Sequence, residues 1–250
     1  MREVLAEIWY DNSQLQAFNL LTDNLNQARC GVQVNGKRQK ITLRTFGDER
    51  DKGLVANIVT NSALTTGIFF APYSSTLAKV AAPHSEAASK VMIVQGSSSS
   101  SIFADKEHVF GMLPPSAVYL DKAFELLAGL GTASVVGIME AASFPRAACG
   151  AIEALSEKYG LEDRGNIEVV RNPTEEDLPL AKDLTTDTPD VIVGCMYVTG
   201  CTAWTKAMRA ENINPMQQVF TICIGNSTYH NSEREDADYM MGVSAWDPSM

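Results

Sequence analysis

Leu15, Phe18, Leu21 and Leu25 recur at intervals of three and four residues, which puts them on one face of a helix ending near Arg29. Val34-Asn35-Gly36-Lys37 is a turn signal, and residues 40–46 then alternate as a half-buried strand does. Residues 48–65 carry Leu54, Ile58 and Val59 on one helical side, and residues 67–71 form a short apolar strand closed by Pro72. A helix over 76–88 leads to the apolar strand Val91-Met92-Ile93-Val94, followed by Gly96 and a run of serines from Ser97 to Ser101.

The grammar then repeats. Strands are predicted at 134–139, 166–170, 190–194 and 219–224, with helices at 146–159 and 202–210, and residues 119–130 supply a crossover helix between the halves. Strands alternating with helices imply parallel sheets with helices on both faces. The fold class is α/β, arranged as two Rossmann-like lobes.

Composition narrows the function more than the fold. Of 250 residues 45% are hydrophobic, but no run approaches the roughly 18 to 20 apolar residues that span a bilayer. The first eight residues carry Glu3 and Glu7 where an export signal needs an unbroken apolar stretch. A formal net charge of −10 argues against a nucleic-acid surface, which requires clustered Lys and Arg. The acids at Asp48-Glu49, Glu175-Glu176-Asp177 and 233–238 read as solvated surface. Five cysteines lack metal-ligand spacing and show no disulfide framework; Cys149, Cys195 and Cys223 lie in or beside apolar runs and read as small buried hydrophobes.

In open parallel sheets ligands bind beyond the carboxyl ends of strands, so the loops there carry the chemistry. Three are polar: Tyr73-Ser74-Ser75, Gly96-Ser97-Ser98-Ser99 and Met196-Tyr197-Val198-Thr199. Serines at the start of a helix either cap it or, with its free amides, receive an anion. The serine run lacks G-x-S-x-G and has no phosphate-loop lysine. His84, His108 and His230 stand in no catalytic pattern, so no catalytic residue, metal or cofactor is assigned. An enzyme using Ser98 or Cys195 as nucleophile and His84 or His108 as base is the rival reading, and an interaction module with an unused cleft is another.

The stretch from Phe70 to Ser75, the 20-residue gap to Gly96-Ser97-Ser98, and Val109-Phe110-Gly111-Met112-Leu113-Pro114-Pro115 together resemble the type I periplasmic binding proteins, close to their leucine-binding branch. Residues 31–36, Phe46-Gly47-Asp48-Glu49 and Trp246-Asp247-Pro248 extend the resemblance over most of the chain. The resemblance implies a first lobe at 1–117, a second at 118–240 and a return to the first at 241–250, closing on a small ligand without chemistry. It places Ser75 with Ser74, Gly96, Ser97 and Ser98 on a ligand carboxylate, and Phe144, Tyr197, Thr199 and Asn226 in the second lobe's half of the cleft. It implies an extracytoplasmic setting, a membrane transporter or receptor signalling partner, and pairing of copies through the first lobe. Two departures stand out. Asn226 falls near where amino-acid binders carry an acid for the ligand ammonium. The chain is also expected to lack the family's first strand and to stop short of its final segment.

Overall fold

A computed structural model of the chain describes residues 3–6, 12–177, 187–232 and 240–243. It divides into two compact units, Met1–Pro114 and Pro115–Met250. The acidic run 233–238 and Trp246-Asp247-Pro248 lie outside the described residues.

The first unit runs β1 (Glu3–Ala6), α1 (Asn12–Ala28), β2 (Val32–Val34), β3 (Lys37–Gln39), β4 (Leu43–Arg44), α2 (Lys52–Ser62), β5 (Thr66–Phe70), α3 (Ser75–Ala87), β6 (Val91–Val94) and β7 (Val109–Gly111). Its main sheet is parallel throughout in the order β4-β1-β5-β6-β7. β2 and β3 form a separate hairpin, whose Asn35 (φ 51°) and Gly36 (φ 77°) both take the left-handed conformation that such two-residue turns require. Asp51 opens α2 by accepting the Leu54 amide at 2.7 Å, and Val55, Val59 and Ser62 then face inward at helical spacing. α3 buries Leu77, Ala78, Ala81, Ala82 and Ser85; the small alanines allow close packing in a core with Phe69, Met92 and Ile102.

Two expectations for this unit are corrected. The first strand is present: β1 pairs with β4 at Val4↔Leu43 and with β5 at Leu5↔Phe69, filling the central position. Four residues bracketed by acids give no periodic signal, whereas ladders on both sides satisfy their backbone groups. Conversely, the alternation over 40–46 yields only the two-residue edge strand β4.

The second unit runs α4 (Asp121–Gly129), β8 (Ser134–Glu140), α5 (Ser143–Cys149), α6 (Ile152–Tyr159), β9 (Glu162–Val169), β10 (Val191–Cys195), α7 (Val198–Ala210), β11 (Gln217–Phe220), α8 (Ser227–Ser232) and β12 (Met240–Gly242). Its parallel sheet has the order β12-β11-β10-β8-β9, the same winding as the first. Along β10, Val191 and Val193 pack with Phe124, Leu127 and Ile152 on one face, while Ile192 packs with Trp204, Phe220 and Tyr229 on the other. A strand buried on both faces reads as a continuous apolar run, which is how residues 190–194 read. The helix predicted over 146–159 is two helices, parted where a side chain at Gly150 would stand 2.7 Å from the Arg146 carbonyl.

Asp48, read as solvated surface, is fully buried between β4 and α2. Its Oδ1 accepts the Arg50 amide at 2.7 Å, but Oδ2 is buried without a partner. Burial pushes its carboxyl up to about 7, against the smaller opposing effects of the Arg50 amide and charge. Because the proton is held more tightly in the folded chain, the associated stability is complete below the ordinary carboxylate range near pH 4 and is lost as pH rises through 7. Unfolding free energy measured in urea should therefore fall between about pH 4 and 7, and Asp48→Asn, which keeps the Oδ1 acceptor, should remove most of that slope.

Candidate functional site

The chain leaves β1 for the edge strand β4 and crosses back to β5; likewise it leaves β8 for β9 and returns to β10. At such a reversal adjacent connections part to opposite faces, leaving a recess beyond the carboxyl ends of the two inner strands. In the first unit the loop after β5 lies at this point; in the second, the loops after β8 and β10 do.

In the first unit the structure brings the two predicted polar loops together. The Gln95 amide donates to the Ala71 carbonyl at 2.8 Å, and the Ser97 hydroxyl donates to the Tyr73 carbonyl at 2.5 Å with the Pro72 carbonyl at 3.3 Å. Ser97 thus spends its proton holding the neighbouring loop. Ser74 is the N-cap of α3, with extended backbone (φ −76°, ψ 130°), yet its side chain makes no cap bond. Its carbonyl receives the Leu77 and Ala78 amides, which leaves the amides at the head of α3 directed outward. Ser75 begins the helix and is 3% exposed. Ser98 is also buried, and Ser99 opens only a three-residue turn at Ser100–Ile102. The second serine loop is therefore not a full helix start as its sequence suggested, and it carries little dipole of its own. Gly96 lies against the Tyr73 ring: a Cβ there would stand 2.5 Å from Tyr73 Cδ2.

In the second unit Phe144 packs between Tyr119 (ring centroids 5.5 Å) and Tyr197 (6.3 Å), and is itself buried. Tyr197 is the N-cap of α7, which starts four residues earlier than its apolar pattern indicated, so Thr199 stands exposed in a helical first turn rather than in a loop. β11 ends at Phe220, and Asn226 accepts the Thr228 amide through Oδ1 at 2.9 Å, capping α8. Its amide oxygen is thereby committed.

Sequence reasoning missed Glu140. This carboxylate, fully buried at the end of β8, accepts the Asn172 amide on Oε1 and the Tyr197 amide on Oε2, both at 2.9 Å. It lies at the head of α7 facing Gly200, where a Cβ would come within 3.0 Å of Oε2. Its two oxygens thus meet two backbone amides and the positive end of the helix. The available signal was a lone acid terminating the apolar run 135–139.

The cysteines also need correction. Cys149 is bridged to Cys195 and Cys201 to Cys223, with Cα separations of 5.9 and 6.4 Å; Cys30 is free and exposed. The partners are 46 and 22 residues apart, so only the folding of α5 onto β10, and of the loop after β11 onto α7, brings them together. The bridges frame Tyr197, Thr199 and Asn226. They also remove Cys195 as a thiol nucleophile. His84 lies 3.0 Å from Thr60 Oγ1, and His108 lies 2.9 Å from Glu86, whose carboxyl its bond holds below the usual range. Among the described residues no group of three His, Cys, Asp or Glu side chains is placed to hold a metal ion.

Two parallel sheets of one winding, each with polar loops at its reversal, define a two-unit α/β binding protein of the type I periplasmic kind. The chain belongs to the periplasmic binding protein family, whose model matches residues 9–250. Membership implies solute binding in an extracytoplasmic setting, in agreement with the two disulfides. Among solved structures, an ABC transporter substrate-binding protein from Desulfitobacterium hafniense matches with TM-score 0.81 at 17% identity, over all of this chain and 72% of that one, and has also been solved in complex with Leu. The branched-chain amino acid transporter substrate-binding protein LivJ from Streptococcus pneumoniae, in complex with isoleucine, matches with TM-score 0.81 at 13% identity over all of this chain and 72% of that one. A solute-binding protein of an ABC transporter from Rhodopseudomonas palustris BisB5, in complex with 3,4-dihydroxybenzoic acid, matches with TM-score 0.74 at 15% identity, over 94% of this chain and 66% of that one. At these identities the likeness is one of fold.

Two outcomes are expected from this geometry. Glu140→Ala leaves the part-buried Asn172 and Tyr197 amides without their acceptor and should cost about 1 to 3 kcal/mol in urea unfolding, with added formate recovering part of the loss. Alkylation of the denatured, unreduced protein should label Cys30 alone, and reduction should lower stability by about 3 to 4 kcal/mol per bridge, as loops of these lengths predict.

Proposed function

We propose that this protein is a non-catalytic receptor for a small carboxylate-bearing solute, serving as a transporter-associated carrier or as the ligand-binding part of a receptor. In the first unit Ser74, Ser75, Gly96 and Ser98 are the candidates to receive the carboxylate, with the Ser97 hydroxyl bracing their loops, and Phe144, Tyr197, Thr199 and Asn226 are the second unit's candidate ligand contacts. The observation that carries this reading is the contrast between two equivalent helix starts. The head of α7 is occupied by the chain's own carboxylate, Glu140, whereas the head of α3 has an N-cap serine whose hydroxyl makes no cap bond. An anion is the guest that such a helix start favours. The ligands of the similar structures, leucine, isoleucine and 3,4-dihydroxybenzoic acid, share a carboxylate and little else. No catalysis is assigned, because Cys195 is bridged and the two described histidine side chains pair with Thr60 and Glu86.

A thermal-shift screen against amino acids, aliphatic acids and aromatic acids tests this directly. A ligand at about a hundred times its dissociation constant should stabilise the fold by about 2.7 kcal/mol. Replacing Ser74 and Ser75 together by Ala should weaken binding of the best acid by about tenfold to a hundredfold in calorimetry, the range for hydrogen bonds to a charged group. Undiminished affinity in that double variant would refute the site.

A further inference from the structure

Asn226-Ser227-Thr228 is an N-x-T triplet without proline in its middle position, the pattern in which an asparagine accepts an N-linked oligosaccharide. No other asparagine of the chain meets it. Asn172 comes nearest, with Thr174 two residues on, but Pro173 stands between them. A triplet this short also arises by chance, so its place in the fold decides what it can do.

The triplet follows β11 and opens α8 of the second unit. The Asn226 backbone amide donates to the Cys223 carbonyl at 2.9 Å, and Cys223 is bridged to Cys201 on α7, so the loop is pinned just ahead of the asparagine. The Asn226 Oδ1 accepts the Thr228 amide at 2.9 Å. A backbone N–H can meet only the oxygen of a carboxamide, so this bond fixes which end of the group is engaged. Among the described residues the Nδ2 nitrogen makes no hydrogen bond. Asn226 is half-buried, and Gly225 and Thr228 on either side of it are exposed. The nitrogen that would carry a sugar is thus the uncommitted end of a side chain whose other end is held. The extracytoplasmic setting of the family and the two bridges belong to the same oxidising compartments in which such modification takes place.

We propose that Asn226 is an N-glycosylation site. Its Nδ2 attacks the anomeric carbon of a lipid-pyrophosphate-linked oligosaccharide on a membrane-bound oligosaccharyltransferase. A carbon–nitrogen bond forms and the carbon–oxygen bond to the pyrophosphate breaks; the lipid pyrophosphate leaves with the electron pair, and one Nδ2 proton passes to a base of the transferase. A sugar on Nδ2 withdraws Asn226 from the candidate ligand contacts, while the carboxylate reading at Ser74 and Ser75 does not depend on it.

Mass spectrometry of the protein recovered from its own cells, after a peptide N-glycosidase has acted in heavy-oxygen water, tests the assignment. Position 226 should be found as heavy-oxygen-labelled aspartate, and the glycosidase should increase the mobility of the chain in gel electrophoresis. Thr228→Ala keeps the backbone amide that Asn226 accepts but breaks the triplet, and should abolish the mobility change; Thr228→Ser restores the triplet and should retain it. Asn226 recovered wholly unmodified, or a mobility change that survives Thr228→Ala, would overturn the proposal. Neither result bears on calorimetry with acids, so the receptor reading stands or falls separately.

Discussion

A parallel strand cannot reach its neighbour through a tight turn; the chain must travel back along the sheet before it can pair again. Both units obey this constraint in one way, with the first strand in the middle, the second on one side and the remaining strands added on the other. The reversal follows from starting in the centre, and it opens the recess beyond β1 and β5 and beyond β8 and β10. The short β1 matters for this reason. It belongs to two ladders at once, and without it β4 would have no partner and the reversal would not exist.

The two units use the same recess differently. In the second, Glu140 reaches across from β8 to the amides after β9 and β10, so three strand ends are tied by one carboxylate. Cys149–Cys195 and Cys201–Cys223 add covalent ties on either side of the Tyr197 segment. The head of α7 is thus already met by a carboxyl group of the chain itself. In the first unit the ties run between the loops after β5 and β6, through Gln95 and Ser97, and the Ser74 hydroxyl at the head of α3 makes no cap bond. A shared topology thus carries opposite occupancy at the two helix heads.

Local pattern was informative wherever an element is buried on a continuous face. β6 and α3 were legible within a residue, because an apolar run or an inward stripe of small residues leaves a mark in one dimension. α7 was read four residues short, since its first turn carries Thr199 outward and offers no apolar repeat. Asp48 and Glu140 were misjudged or missed for a common reason: an acid looks solvated until the backbone amides that bury it are in place. The serines at 74, 75, 97 and 98 are visible in the sequence as polar strand ends, but the bonds each one makes are not. Whether a serine caps a helix, braces a neighbouring loop as Ser97 does, or faces a ligand depends on atoms more than twenty residues away.

By itself, then, the sequence determined the alternation of strands and helices, the repetition of that alternation, and which strand ends are polar, because each is encoded by side-chain periodicity and turn residues within a few positions. Tertiary structure alone decided the central place of β1, the pairing of four cysteines, the burial of Asp48 and the capture of the α7 head by Glu140. These are contacts between segments distant in the chain, and their energies arise from desolvation and backbone hydrogen bonding that exist only once the sheets have formed.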